Sequence, residues 1–275
     1  MRFELSEDQR DFATSLDKLL AAAGTPAVAR AWAEGDHGPG LKLWGRLAEQ
    51  GVTSLADEPV FLAVAFEQLG FHAVPGPWVE SVAYLGLEEG IGTVAVPPHV
   101  PYALDADITD REDVGAMHVS VDRTRRLFEV SDEGEPDREA FDRAVLAVSA
   151  QLLGLGERIL ADSVTYVKQR KQFGREIGSY QAIKHQLADV RIALDFARPL
   201  VYGAALGDTQ VSAAKVAASD AAYLASRTGL QVHGAIGYTA EFDLSIWLTK
   251  VRALVGAWGT PAWHRGRIRQ DLGIA

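Results

Sequence analysis

Cysteine is absent from the 275 residues, so the chain has no disulfide framework, no thiol nucleophile and no cysteine-based metal site. No apolar run reads as long enough to span a bilayer, and Met1-Arg2-Phe3-Glu4 does not open a signal peptide. Both absences suit a reducing cytoplasm, the expected location. Also missing are Gly-x-Gly-x-x-Gly after a strand, a phosphate-loop lysine motif and His-Glu-x-x-His. His185, His233 and His264 are scattered along the chain, so no metal site is expected. Clusters of Lys and Arg are lacking as well. The net charge is −10, with the negative excess in residues 1–150 and a mild positive excess in residues 151–275. That positive half suits an anionic small molecule or an acidic partner, and is too weak to indicate nucleic acid.

What is present is an ordinary globular composition, 48% apolar and 23% charged, long enough for a substantial core in one large domain or two. Ser6 can cap a first helix, with Gln9 reaching back to it, and Phe12, Leu16, Leu19 and Leu20 continue one apolar stripe. Gly24-Thr25-Pro26 ends that helix. Further helices are expected over 41–50, stopped by Gly51, over 59–69, and over 78–87 after the Pro75-Gly76-Pro77 turn. Residues 1–88 thus read as a helical domain.

Residues 89–136 change character. They are rich in Val, Pro, Asp and Gly, with β-like runs at 93–96, 102–104, 116–121 and 126–130, enough for a small sheet and too little for a barrel. Residues 137–275 return to long helical patterns, about 138–170, 180–206, 212–232, 244–255 and 261–271. Pro199 is a candidate kink in the second of these. Long antiparallel helices with short connections describe a four-helix bundle. Gly154 and Gly156, inside the first pattern, fit close helix packing.

Two stretches offer more than scaffolding. At 170–189 a turn carrying Arg170, Gln172 and Phe173 separates two helices, and a second helix starts near Tyr180 with Ile183, Leu187, Val190 and Leu194 on one face. Arg170 and the free amides at that helix start could hold an anion. The plain alternative is a helical hairpin with Phe173 packed into the core. At 231–241, glycines after a helix would let the backbone approach a ligand, with Gln231 offering its amide. Taken alone, that stretch also reads as a helix stop.

Together the two stretches resemble the acyl-CoA dehydrogenase family. Its C-terminal domain carries Arg-x-Gln-Phe-Gly-x-x-Ile-x-x-x-Gln-Ala-x-x-His-x-Leu-Ala-Asp and, later, Gln-x-x-Gly-Gly-x-Gly-Tyr-Thr-x-Glu. Leu5-Ser6-Glu7-Asp8-Gln9 and Trp44-x-x-Leu47-Ala48-Glu49-x-Gly51 resemble its N-terminal helical domain more loosely, and Asp122-Arg-Thr-Arg-Arg-Leu127 the tail of its middle β-domain. The resemblance implies a mainly α fold with a truncated β segment, FAD as cofactor, and oxidation of an acyl-CoA thioester at Cα–Cβ. In that chemistry a glutamate takes the α-proton and the flavin takes the β-hydride.

Two departures qualify what is implied. The family's usual base position falls on Trp258, and the alternative on the first bundle helix falls near Ala144. The middle domain is less than half its usual length and lacks a Thr-x-Pro-x-x-Gly-Ser segment. What remains is the set of residues that family members extend to a neighbouring subunit's FAD: Arg170, Gln172, Phe173, Ile177, Gln181, Gln231, Gly234 and Ala235, the last replacing a glycine. The resemblance therefore implies a non-catalytic, FAD-completing subunit. Its partner would be a full-length acyl-CoA dehydrogenase subunit in an α2β2 heterotetramer with two FAD, acting on a bulky, sterol-derived acyl-CoA. The alternatives are a self-sufficient flavoenzyme using Asp142 or Glu241 as base, and a structural relative that has lost FAD.

Overall fold

The computed structural model describes residues 4–95, 99–102, 108–109, 115–130, 136–207 and 209–274. Helix α1 (Glu7–Ala23) starts with the expected capping box: Ser6 Oγ accepts from the Gln9 amide and Gln9 Oε1 from the Ser6 amide. Gly24 at φ +64° closes it, but Pro26 does not end helical structure. It sits in the first turn of a second helix, α2 (Thr25–Ala33), where a missing amide hydrogen costs nothing. The stop signal is also a start signal, and the sequence reading missed the helix it starts. Then come α3 (Gly38–Glu49), α4 (Pro59–Phe71) and a π-helical turn at Val79–Tyr84.

The β segment is small, as expected. Strands β2 (His99–Pro101), β5 (Leu127–Glu129) and β4 (Met117–His118) form an antiparallel sheet in that spatial order. Strands β1 (Gly92–Thr93) and β3 (Ile108–Thr109) pair in parallel. Tyr102 lies in the turn after β2, and Val96, Ala103 and Leu104 fall outside the described residues.

Helix α5 (Arg138–Gln169) is the axis of the molecule. It packs on α4, α6 (Gln181–Ala205), α7 (Val211–His233) and α8 (Leu244–Gly256), while α9 (Pro261–Asp271) closes against α7. Its length and composition do pass for a membrane-crossing helix, contrary to the sequence reading, yet 83% of its apolar window is buried within the fold. Glycines let its neighbours approach. A Cβ at Gly154 would lie 1.9 Å from the Glu67 carbonyl oxygen, and one at Gly156 would lie 2.7 Å from Leu194 Cδ2. Helix α6 continues through Pro199.

Charges join the parts. Arg198 forks onto Glu67 of α4 at 2.8 and 3.0 Å and also donates to Glu157 of α5 at 3.0 Å. Burial alone would raise the Glu157 carboxyl, but the Arg191 and Arg198 guanidiniums outweigh it and leave it lowered. The β segment is fastened to α8 by a sealed pair: Lys250 Nζ donates to Asp122 Oδ2 at 3.0 Å, with side chains 5% and 2% exposed.

Candidate functional site

The turns singled out in the sequence lie at one end of the bundle. Tyr166 in the last turn of α5 stacks on His233 at the end of α7, ring centroids 4.3 Å apart. The segments that follow these two helices therefore leave from the same place. After α5 the chain makes a tight hairpin, β6 (Lys171–Gln172) against β7 (Arg175–Glu176), and the Ile177 amide closes it onto the Arg170 carbonyl at 2.9 Å. Phe173 and Gly174 form the two-residue turn at φ +53° and +81°, the left-handed pair that matches strand twist in such hairpins.

The packed-core expectation for Phe173 is wrong. Its ring is 90% exposed, because the hairpin points its tip away from the bundle. A bulky residue held at positive φ costs about 1–2 kcal/mol, and here no burial within the chain offsets that. Arg170, Gln172 and Gln181 are exposed too, while Ile177 is half-buried. Tyr180 braces the hairpin, its ring 4.0 Å from the Arg175 guanidinium carbon.

After α7 the backbone turns at Gly234 (φ +64°, ψ −139°) into a 3-10 helical turn, Gly234–Tyr238. Gln231 and Gly234 line a groove of about 720 Å³ that Val121, Tyr223, Arg227, Tyr238 and Arg252 also line. Ala235 is exposed beside it. The hairpin residues stand outside this groove. The loop beyond is pinned to α2, since Arg30 donates to the Glu241 carbonyl at 3.1 Å and pairs with Asp243 at 2.7 Å. The helix missed in the sequence thus fastens the loop that follows the second turn.

The positions matched to a base lie at the opposite end, about 38 Å away as judged from the rise between Phe141 and Tyr166 on α5. Ala144 is fully buried and Trp258 is 5% exposed. The Trp258 indole packs against Tyr84 and Phe141 at 5.4 and 5.7 Å, and its carbonyl accepts from His264 Nε2 at 2.9 Å. Asp142 is engaged by Arg267 through two hydrogen bonds of 2.6 and 3.0 Å. Both of its carboxylate oxygens are taken up by that fork.

Sequence reasoning missed three features near these sites. Glu80, 2% exposed, lies 3.6 Å from Arg125 with its carboxyl raised by burial. Only its place in an irregular helical turn hinted at it. Lys215, fully buried, donates to the Leu254 and Val255 carbonyls at 2.8 and 3.1 Å. Tyr223 has the guanidinium carbons of Arg227 and Arg252 at 6.0 and 5.7 Å from its ring centroid, and a Tyr-x-x-x-Arg spacing on one helix face was the available signal for half of that arrangement.

A helical frame, a small β segment packed on it and two exposed turns at one bundle end make up the architecture. Residues 137–273 match the acyl-CoA dehydrogenase C-terminal domain. The acyl-CoA dehydrogenase IpdE2 of Mycobacterium tuberculosis is 30% identical, over 89% of this chain and 91% of its own. IpdE2 of Mycolicibacterium smegmatis is 28% identical, over 98% of this chain and 100% of its own. Among solved structures, the ChsE4-ChsE5 complex from Mycobacterium tuberculosis superposes with a TM-score of 0.83 at 19% identity, covering 100% of both chains. Butyryl-CoA dehydrogenase from Megasphaera elsdenii gives 0.82 at 20% identity, over 99% of this chain and 100% of that one. This chain belongs to the acyl-CoA dehydrogenase family.

Proposed function

We propose that this chain is the FAD-completing, non-catalytic subunit of a heteromeric acyl-CoA dehydrogenase. The observation that carries the reading is the contrast between the bundle's two ends. At one end Phe173 is 90% exposed in a strained turn, beside an exposed Arg170 and Gln172. At the other, Trp258 and Ala144 are sealed in apolar packing. The residues offered outward are those that could hold a dinucleotide, and the places where a base would stand hold none.

The exposed donors fit one flank of FAD. Arg170 presents a guanidinium suited to a pyrophosphate oxygen, Gln172 and Gln231 offer amides, and Gly234 allows close backbone approach. Gln181 and Ile177 would support the hairpin's side of the contact, with the Ala235 backbone beside Gly234. Bound FAD supplies hydride acceptance. The proton acceptor, the acyl pocket and the other flank of the flavin come from a full-length partner subunit. An α2β2 assembly with two FAD is the stoichiometry this division implies.

Two solved structures of the same fold support a heteromer by their own descriptions, the ChsE4-ChsE5 complex and the Tcur3481-Tcur3483 steroid acyl-CoA dehydrogenase variant. The second is described as a steroid enzyme, which favours a steroid-derived acyl-CoA as substrate. The test is Arg170→Ala in the co-expressed complex. Losing one charge-assisted contact weakens FAD retention by about 1.5–3 kcal/mol, measured by flavin release on dilution. Unchanged retention removes Arg170 from the site.

A further inference from the structure

The three-stranded sheet brings together two histidines that are well separated in the sequence. His99 on β2 pairs in register with Glu129 of β5, and His118 on β4 pairs with Leu127 of the same central strand. Residues opposite one another in an antiparallel pair share a face, as do residues two apart along a strand. His99, Glu129, Leu127 and His118 therefore stand on one face, while Val100 and Phe128 are buried with Ala95 on the other. Across the first face the two imidazole centroids are 5.2 Å apart, with ring planes at 89°. His118 Nε2 donates to Glu129 Oε1 at 2.9 Å. An ionised carboxylate only accepts, so in the neutral ring the lone pair is left on Nδ1.

Neutral imidazole is the commonest protein ligand for metals. A ligating histidine usually donates its other ring nitrogen to a carboxylate or carbonyl, which fixes the tautomer and makes the ligand more basic. Glu129 does this for His118. Two imidazoles bonded to one tetrahedral ion at about 2.0–2.1 Å hold their centroids about 5 Å apart, close to the separation already present. No group of three or more His, Asp and Glu among the described residues could hold a metal. The pair therefore makes a site of two protein ligands, with water completing the coordination. Water has a way in, since His118 also lines a cleft of about 280 Å³ beside Glu34, Asp122 and Arg123. Imidazole suits zinc, copper and nickel, and oxygen-rich sites suit magnesium and calcium, so the chemistry selects a transition metal.

We propose that His99 and His118 bind a divalent transition-metal ion, with Glu129 as the positioning residue that orients the His118 ring. The ion links β2 to β4 across β5, joining the two outer strands of a sheet whose strands are two or three residues long. Such short strands gain little from their own pairing, and a metal bound only by the folded sheet adds its binding free energy to the fold. The site is on the β segment and shares no residue with the two turns of the bundle. It stands apart from the FAD-completing role, and neither depends on the other.

The experiment is calorimetric titration of the full-length chain with zinc chloride in a buffer that does not bind metal, repeated on His99→Gln/His118→Gln. The His118 and Glu129 side chains are 45% and 56% exposed, so substitution there spares the core, and circular dichroism checks that the fold persists. The chain should take up one zinc, and the double variant should bind it at least tenfold more weakly. Glu129→Ala should weaken binding about ten- to a hundredfold while keeping the stoichiometry. Glu129→Gln, whose amide oxygen still accepts from His118, should recover part of that loss. Magnesium in place of zinc should give no heat. Absence of zinc uptake, equal affinity in the double variant, or equal uptake of magnesium overturns the site and leaves the two rings as packing partners. Unchanged affinity in Glu129→Ala overturns the positioning role. The readout is heat, independent of flavin and of turnover.

Discussion

Replacing Phe173 separates a residue that serves its own chain from one that serves a neighbour. Its ring is 90% exposed, so Phe173→Ala forfeits almost no burial in the isolated chain. Alanine at φ +53° keeps the left-handed strain, and the Gln172–Arg175 pairing beneath the tip does not involve the ring. The chain's stability to urea should therefore change by no more than about 0.5 kcal/mol, as for a surface substitution. Phe173→Gly also relieves left-handed strain of about 1–2 kcal/mol, partly offset by the extra flexibility of glycine, about 0.5–1 kcal/mol. It should be neutral or slightly stabilising. In the complex the ring is expected to be covered, and burying a Phe side chain contributes about 1.5–3 kcal/mol. Assembly or FAD retention should then weaken roughly ten- to a hundredfold in Phe173→Ala. The assays are urea unfolding of the chain alone and flavin release from the complex. A loss above about 1.5 kcal/mol in the isolated chain, or an unaffected complex, refutes the reasoning.

Other perturbations test the frame that holds the site. Lys250→Met leaves Asp122 charged and sealed, and should cost about 3–5 kcal/mol, whereas pairing it with Asp122→Asn should recover part of that loss in a double-mutant cycle by urea unfolding. Gly154→Ala drives a methyl against the Glu67 carbonyl oxygen, and overpacking of this kind should cost about 1–3 kcal/mol, read as a lower thermal midpoint. His264, between Ser212 Oγ and the Trp258 carbonyl, has its pKa lowered to about 4, chiefly by burial. With the folded value depressed, the unfolded chain binds the proton more readily. The stability this histidine contributes is present above about pH 6.5 and is lost as pH falls toward 4. Unfolding midpoints across that range should fall less steeply in His264→Gln.

The long helices were legible because their apolar spacing runs uninterrupted, and the forecast start of α5 at Arg138 and limits of α9 at 261–271 agree with the structure. Local signals failed where one residue type has two uses. Pro26 reads as part of a helix stop but lies in the first turn of the next helix, and Phe173 reads as core by type while its backbone turn carries it outward. The two turns of the candidate site were legible as motif positions, in Arg170, Gln172, Gln231 and Gly234. The Tyr223, Arg227 and Arg252 arrangement was not, because Arg252 reaches it only through the packing of α8 on α7. The sealing of Trp258 likewise depends on Tyr84 and Phe141, distant in sequence. Counting along the motif located Trp258, but only the fold shows what surrounds it.

The claim that this chain lends its flavin contacts to another subunit is tested most directly by the ratio of flavin absorbance to protein. The chain should be measured alone and after co-purification with a full-length dehydrogenase subunit. The account expects a colourless chain alone and one FAD for each pair of unlike chains in the complex. Flavin and turnover on the chain alone, or one FAD on every chain of the complex, would contradict it.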